Sequence, residues 1–324
     1  MAERPENTAV AGVASDPGAD PHLARGVITN PRFMALFLSQ ILTQVGGNMV
    51  LYGLTIHVSN LTGSTTAVSV LLLTFLVPAV VFGAIAGVFV DRYDRRKILI
   101  WTNVARGLLF MLLIFFDQQI VALYVITAIV ATLTTFFAPA ETAMIPLVVR
   151  REQLLTANGL FVLGLQASFA LGFAVLGPLM VVLTGVNALI AIVAGTYVLA
   201  GILCWTLPPA PSVLIGRAGS AVRQAGAAVR ATFDQLREGL RYIRDHRNIF
   251  WALAYLTITS SLIGVLGVLG PSFAKNVLGL ESEDFWVLVL PLGVGLVAGI
   301  ISLNLFGKLI ARKRLIEILS LIHI

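Results

Sequence analysis

The sequence predicts an all-α integral membrane protein, and two observations carry this prediction. Hydrophobic residues make up 58% of the 324 residues and charged residues only 12%, which is more apolar surface than a soluble core of this length can bury. The apolar residues also form eight stretches of membrane-crossing length and the start of a ninth, because roughly 20 helical residues cross a hydrocarbon core about 30 Å thick. Lipid is therefore the expected solvent for most of the chain.

The predicted helices follow one another with short polar segments between them. The basic cluster that begins at Arg92, the carboxylate Asp117 and the pair Arg150 and Arg151 separate successive apolar runs. The helices cover residues 33–57, 66–90, 98–116, 119–138, 157–183, 188–207, 249–272 and 285–306, and a ninth begins near Leu315.

The distribution of Lys and Arg predicts the orientation. Basic residues are concentrated in the amino-terminal segment and in the loops after helices 2, 4, 6 and 8, whereas the remaining loops contain only Lys275. Short cytoplasmic loops carry the excess of positive charge in membrane proteins. We therefore expect a multi-pass protein of the cell membrane with a cytoplasmic amino terminus.

One long polar segment divides the chain into four predicted regions. Residues 1–32 form a disordered cytoplasmic tail, 33–207 a six-helix bundle, 208–248 a cytoplasmic linker and 249–324 part of a second bundle. The linker is expected to contain an interfacial amphipathic helix, since its apolar residues recur at helical spacing. These residues are Phe233, Leu236, Leu240 and Ile243.

The loop between helices 2 and 3 carries the most specific motif. It reads Gly87-x-x-x-Asp91-Arg92-Tyr93-Asp94-Arg95-Arg96 and resembles, in position and composition, the signature of the major facilitator superfamily. Three further segments resemble the branch of this superfamily that exports drugs, siderophores and macrolides. They are Phe136-Phe137-Ala138-Pro139, Ile145-Pro146-Leu147-Val148 and Ala157-Asn158-Gly159.

The resemblance covers roughly residues 30–320 and implies a two-bundle transporter of twelve helices. About eight or nine of these are present, so we expect a chain truncated at its carboxyl terminus. The resemblance also implies a monomer that moves small amphipathic molecules outward by alternating access, driven by a proton gradient without a bound cofactor. The small-molecule substrate and the bilayer are its expected partners.

The same resemblance makes the loop motif a conformational latch. The latch residues are Gly83, Gly87, Asp91, Arg92, Arg95 and Arg96. By this resemblance, bonds of Asp91 and Arg92 hold the cytoplasmic side of the cavity shut and break during transport. The two glycines form a Gly-x-x-x-Gly pair that lets helices approach closely. The alternative is that the basic residues simply set the orientation and contact anionic lipid.

Helix 1 carries a polar stripe at helical spacing. Its members are Gln40, Thr43, Gln44, Gly47 and Asn48. Uncharged polar groups on one face avoid lipid, so they either line the substrate cavity or hydrogen-bond to another helix of the bundle.

Two charged residues are candidates for coupling transport to proton movement. Arg106 lies within helix 3, where a buried cation indicates a functional site, although its long side chain could instead extend to the headgroups. Glu141 is expected at a helix end, like Asp117 and Asp284, where a solvated or capping carboxylate is the commoner outcome.

Helix 5 contains Gly172, Gly177 and Pro178, which partly resemble the glycine-rich motif of antiporters in the superfamily. The glycines that usually close this motif are absent. Close helix packing with a proline kink is the alternative interpretation.

Other function classes lack the residues they need. The four histidines lie far apart at positions 22, 57, 246 and 323, no Walker loop is present, and Cys204 is the one cysteine, so the sequence predicts neither an enzyme nor an ATPase nor a structural metal site. No motif for nucleic-acid binding occurs. A lipid or lysolipid flippase of the same fold and a non-transporting receptor or scaffold remain as alternatives to the exporter.

Overall fold

A computed structural model describes residues 26–210, 237–239, 241–244, 246–280, 284, 286–291, 294–295 and 298–299. Within these ranges the regular structure is helical. The long helices are α1 (Pro31–Thr62), α2 (Thr65–Val90), α3 (Arg95–Phe115), α4 (Ile120–Val148), α5 (Leu154–Phe169), α6 (Gly177–Trp205) and α7 (Arg247–Asn276). A short 3₁₀ turn, Arg151–Gln153, precedes α5.

Helices α5 and α6 are joined by a π-helical segment, Ala170–Leu176. Together with the preceding 3₁₀ turn they form a run of 55 residues, Arg151–Trp205, without a loop. This run is long enough for two membrane crossings, and Gly185 divides them because its φ of 79° and ψ of 169° interrupt the helix. The fifth crossing therefore comprises residues 154–184 and the sixth residues 186–205. A left-handed φ of this kind favours glycine, which lacks a Cβ.

The six crossings up to residue 205 pack as one bundle. Helix α1 lies against both the fifth and the sixth crossing, α3 lies between the sixth crossing and α4, and α2 packs on α4. Successive crossings alternate in direction, so the basic segments 92–97 and 150–151 lie at one end of the bundle, which we call the basic end.

The bundle interior consists of two apolar clusters with polar side chains between them. Tyr52, Leu71 and Phe110 belong to the cluster away from the basic end, and Phe33 and Leu99 to the cluster near it. The buried polar residues that lie between the clusters are Ser39, Gln40, Thr43, Asn103 and Arg106. A bundle in lipid can keep such groups only by pairing them internally, and intramembrane charged groups usually have a function. This polar layer is therefore the candidate functional site.

The first seven predicted helices agree with the observed crossings to within five residues at each end, except at the carboxyl end of α4. The predicted helix stops at residue 138, whereas α4 continues to Val148 through Pro139 and Pro146. Each proline removes one backbone donor and leaves the carbonyl four residues before it without its usual helical partner, a loss that membrane helices tolerate inside a bundle. The prediction that Glu141 lies at a helix end is consequently wrong.

Several predicted segments fall outside the described residues. These are the tail to residue 25, most of the linker, the second half of the predicted helix 285–306 and the helix that begins near Leu315. The division of the chain into four regions therefore stays a prediction.

Candidate functional site

Arg106 is the centre of the buried polar layer. Its side chain is 1% exposed, and all three nitrogens of the guanidinium donate hydrogen bonds. Nε donates to the Thr102 carbonyl at 3.1 Å, Nη1 to Thr134 Oγ1 at 3.3 Å and Nη2 to Asn103 Oδ1 at 2.6 Å. The side chain therefore stays inside the bundle, and the alternative in which it extends to the headgroups is wrong.

Two aromatic rings complete the surroundings of this guanidinium. Its Cζ lies 4.4 Å from the centre of the Phe137 ring and 4.8 Å from that of Tyr197. Arginine interacts favourably with the faces of aromatic rings, most strongly where water is excluded. Tyr197 also donates to the Thr43 carbonyl at 3.1 Å, which ties the sixth crossing to α1.

Asn103 connects Arg106 to two other helices. Its amide donates to Ser39 Oγ at 3.5 Å on α1 and lies 3.7 Å from Cys204 Sγ on the sixth crossing. Ser39 Oγ and Cys204 Sγ are themselves 3.2 Å apart. Each amide group of Asn103 thus has a partner, and the asparagine fixes the guanidinium relative to α1 and α6.

Glu141 lies in the same interior, one helical turn along α4 from Phe137. The residue is 5% exposed, and its Oε1 is buried without a hydrogen-bond partner among the described residues. Phe137, one turn before Glu141, covers the Arg106 guanidinium with its ring, but no N···O distance between Glu141 and Arg106 is within the 4.0 Å of an ion pair. A buried carboxylate without donors is costly when ionised, and uptake of a proton removes that cost.

The predicted polar stripe of α1 faces other helices of the same bundle. Gln40 Nε2 donates to the Phe161 carbonyl of α5 at 3.3 Å, and its Oε1 is buried without a partner. Thr43 Oγ1 donates to carbonyls of its own helix. A Cβ added at Gly47 would meet the Tyr197 hydroxyl at 3.1 Å. These contacts favour the helix-to-helix interpretation for the buried part of the stripe.

The rest of the stripe is half-buried. Gln44 and Asn48 are linked by a 2.8 Å bond from the Asn48 amide to the Gln44 carbonyl, and both keep part of their surface accessible. They are the members of the stripe that remain candidates for lining a cavity.

The glycines of the fifth crossing lie directly on α1. A Cβ built at Gly172 would be 2.6 Å from the Val45 carbonyl oxygen and 2.9 Å from Asn48 Cβ. At Gly177 it would be 3.0 Å from Tyr52 Cβ. Pro178 follows at the start of α6, and the preceding segment is π-helical. These residues therefore form a tight contact between the fifth crossing and α1, whatever further role the motif has.

The latch residues lie together at the basic end. Asp91 ends α2, and its Oδ1 is 3.6 Å from Arg95 Nη2, while Arg95 Nη1 donates to the Ala143 carbonyl of α4 at 3.4 Å. Arg96 donates to the Trp205 carbonyl of the sixth crossing. Asp94, outside the predicted set, accepts from the backbone of Arg96 at 3.0 Å and caps α3. The motif thus joins α2, α3, α4 and α6.

The two glycines of the latch show no such contact. Among the described residues, none lies within 4 Å of a Cβ built at Gly83 or Gly87. The nearby Asp91 is open as well, since its side chain is 75% exposed. The close helix approach predicted from this pair therefore stays a prediction.

A second polar cluster closes the opposite end of the bundle. His57 Nε2 lies 2.8 Å from the Asp117 carbonyl, and the Asn187 amide donates to Asp117 Oδ2 at 2.9 Å. The Asn187 hydrogen bond holds the pKa of the Asp117 carboxyl below its usual range. Asp117 is thus a structural residue that connects the α3–α4 loop to α1 and α6.

The sequence reasoning missed most of the partners of Arg106. Asn103 could have been found, since an asparagine three residues before an intramembrane arginine shares its helix face. Ser39, Thr134 and Tyr197 come from other helices and have no such local signal.

The helical bundle and its buried cation define a multi-pass membrane protein with a polar site in its interior, and the motif around Asp91 lies in the loop between the second and third crossings. The model of the Major Facilitator Superfamily matches residues 36–324. The chain belongs to this superfamily.

Within the superfamily, the chain is similar to two macrolide efflux proteins and to an uncharacterised transporter. The chain is 24% identical to macrolide efflux protein A of Streptococcus pyogenes over 281 residues, which are 86% of this chain and 67% of the relative. It is 27% identical to macrolide efflux protein A of Enterococcus faecalis over 254 residues, 76% of this chain and 74% of the relative. An uncharacterised transporter of the superfamily from Bacillus subtilis, YkuC, is 26% identical over 304 residues, 89% of this chain and 66% of its own length. The chain thus spans about two thirds to three quarters of these relatives.

Proposed function

We propose that the protein is an exporter of small amphipathic molecules of the macrolide type, which works by alternating access and is driven by the proton gradient. Membership of the superfamily supports transport, and the likeness to macrolide efflux proteins supports the direction and the substrate class. The observation that carries the coupling to protons is the buried pair of Arg106 and Glu141.

Together, Arg106 and Glu141 have a net charge that changes when Glu141 gains or loses a proton inside the bundle. Arg106 keeps its positive charge because its nitrogens are hydrogen-bonded and two rings cover it. Ionised Glu141 attracts this cation strongly in a medium of low dielectric constant, whereas protonated Glu141 does not. Gain or loss of one proton therefore changes the force between α3 and α4, which is the requirement for coupling a proton to a helix movement.

The direction of proton flow follows from the predicted topology. A proton that binds Glu141 from the outside and leaves towards the cytoplasm would move down the usual gradient while substrate moves outward. Glu141 lies between the Arg106 layer and the basic end, so its proton has the shorter way to the cytoplasmic side in the predicted orientation.

The experiment measures macrolide efflux from cells and the corresponding macrolide uptake into energised inverted vesicles. The wild-type protein should show efflux that collapses with a protonophore, and Glu141→Gln should lose proton-driven transport because the amide cannot carry the proton. Glu152→Gln is a matched control, since Glu152 is an exposed carboxylate in the 3₁₀ turn at the basic end.

Glu141→Gln should keep counterflow, which is the exchange of labelled for unlabelled macrolide without a gradient. Loss of both activities in a folded Glu141→Gln protein would assign Glu141 to substrate binding and overturn its coupling role. Movement of labelled phospholipid without macrolide efflux would favour the flippase instead.

A further inference from the structure

A lipid-facing groove lies between α2, α3 and α4 at the basic end of the bundle. It has a volume of about 560 Å³, and its walls include Ile85 and Phe89 of α2, Trp101 of α3 and Leu133 of α4. None of these residues belongs to the buried polar layer or to the predicted cavity stripe. Thr102, whose carbonyl accepts a hydrogen bond from Arg106 Nε, also lines the groove, so the groove is a different surface that adjoins the buried polar layer.

The walls are open to the surroundings of the bundle. Ile85 is 37% exposed, Phe89 40% and Trp101 69%. In a membrane, such apolar surface faces hydrocarbon chains, and Trp101 lies within two helical turns of the α3 amino terminus, the depth at which tryptophan favours the headgroup boundary.

Lys97 gives the mouth of the groove a positive charge. It lies one turn before Trp101, lines the groove, is exposed and makes no hydrogen bond or ion pair with any residue the structure describes. The neighbouring Arg95 and Arg96 are both engaged by carbonyls of other helices. Lys97 is thus the lining cation whose charge is left for a ligand.

Asp94, the acidic residue at the mouth, forms no ion pair with Lys97 among the residues that the structure describes. Asp94 also lines the groove, but one of its oxygens accepts hydrogen bonds from the backbone of Arg96 at 3.0 Å and of Ala210 at 3.3 Å. The Asp94 carboxylate thus caps α3 and binds the chain that follows the sixth crossing.

We infer that this groove binds an anionic phospholipid of the cytoplasmic leaflet, with an acyl chain between α2, α3 and α4 and the headgroup phosphate at Lys97. The apolar walls match the chain, and the unpaired ammonium matches the phosphate. An uncharged lipid or an apolar substrate would use the walls but would leave Lys97 without a partner.

The test uses Trp101 as the reporter. In a protein whose Trp205, Trp251 and Trp286 are replaced by Phe, the remaining fluorescence comes from the groove. The protein is reconstituted in phosphatidylcholine vesicles that contain a minor fraction of phosphatidylglycerol with brominated acyl chains, which quench nearby tryptophan. We expect stronger quenching than with the same fraction of brominated phosphatidylcholine.

Two variants separate headgroup from chain binding. Lys97→Gln should lower the preference for phosphatidylglycerol by about fivefold, the effect of one basic residue at an anionic surface. Lys275→Gln should leave it unchanged, since this exposed lysine lies in the last turn of α7 and does not line the groove. Leu133→Phe, which fills the groove, should reduce quenching by both brominated lipids.

Equal quenching by the two brominated lipids in the protein that keeps only Trp101 and has Lys97 intact would overturn the proposal, because only bulk lipid would then contact Trp101. A preference that survives Lys97→Gln would overturn the assignment of the phosphate. Thermal melting of each variant in detergent shows that it is folded, so neither outcome can be assigned to loss of structure.

Discussion

Arg106 shows how a cation is kept within a bundle surrounded by lipid. Three hydrogen bonds and two aromatic rings replace the water that the guanidinium loses, and the strongest of these bonds by distance goes to Asn103. Asn103 is fully buried and is also bonded to α1. It is therefore a positioning residue for Arg106.

The first prediction concerns this asparagine. Asn103→Leu leaves Arg106 Nη2 without its acceptor and should destabilise the protein by about 1–3 kcal/mol, the cost of an unsatisfied buried polar group. Asn158→Leu is the matched control, since Asn158 is exposed on α5, and it should change stability by less than about 0.5 kcal/mol. Denaturant unfolding in detergent measures both. Equal stability of the two variants would contradict the positioning role.

The positioning role also predicts a functional signature beyond stability. A folded Asn103→Leu protein should show a shifted pH profile of macrolide efflux, because the guanidinium that faces Glu141 is no longer held in place. An unchanged profile would reduce Asn103 to a packing residue.

The fifth crossing shows how one element is shaped by its neighbour. Its segment Ala170–Leu176 is π-helical, and within it Gly172 brings the backbone against the Val45 carbonyl of α1. π-Helical segments are rare and cluster at functional sites. The glycine motif is thus explained by packing at the atomic level, while its antiporter role stays a prediction.

Gly172→Ala should force the fifth crossing away from α1. The added Cβ would be 2.6 Å from a backbone oxygen, which no side-chain rotation can relieve, and the expected destabilisation is about 1–3 kcal/mol. Gly159→Ala provides the control, because a Cβ there meets nothing within 4 Å and should be neutral or stabilising by up to about 1 kcal/mol. Thermal melting of the purified variants compares the two; similar melting temperatures would show that the contact is looser than described.

At the scale of the whole molecule, the loop motif joins four helices at the basic end. Arg95 and Arg96 donate hydrogen bonds to α4 and to the sixth crossing. The Asp91 side chain is mostly exposed, and its ion pair among the described residues is a 3.6 Å contact with Arg95. An exposed ion pair contributes little stability. If Asp91 is a latch, its effect must come from bonds that it makes in another state of the transport cycle.

Asp91→Asn should therefore abolish transport while membrane insertion and thermal stability are unchanged. The control is again Glu152→Gln, an exposed carboxylate at the same end of the bundle. Macrolide efflux and melting temperature are measured on both variants. Normal transport by Asp91→Asn would refute the latch. The basic residues of the loop would then serve only to set the orientation of the protein in the membrane.

The sequence alone determined the helical membrane architecture, because hydrophobic length and loop charge are local properties that each segment carries by itself. Helices α1, α2 and α3 were predicted to within a few residues at each end. The motif around Asp91 identified the superfamily, and Arg106 could be recognised as a charge within an apolar run.

Only the tertiary structure decided how the charged residues are used. It extended α4 through two prolines, placed Glu141 inside the bundle with Arg106, and turned most of the α1 stripe towards α5 and α6. Asn103, Ser39 and Cys204 are brought together from three helices that are far apart in the chain. The physical reason is that a buried polar group must find its partners across helices, and which faces meet depends on the packing of all six crossings at once.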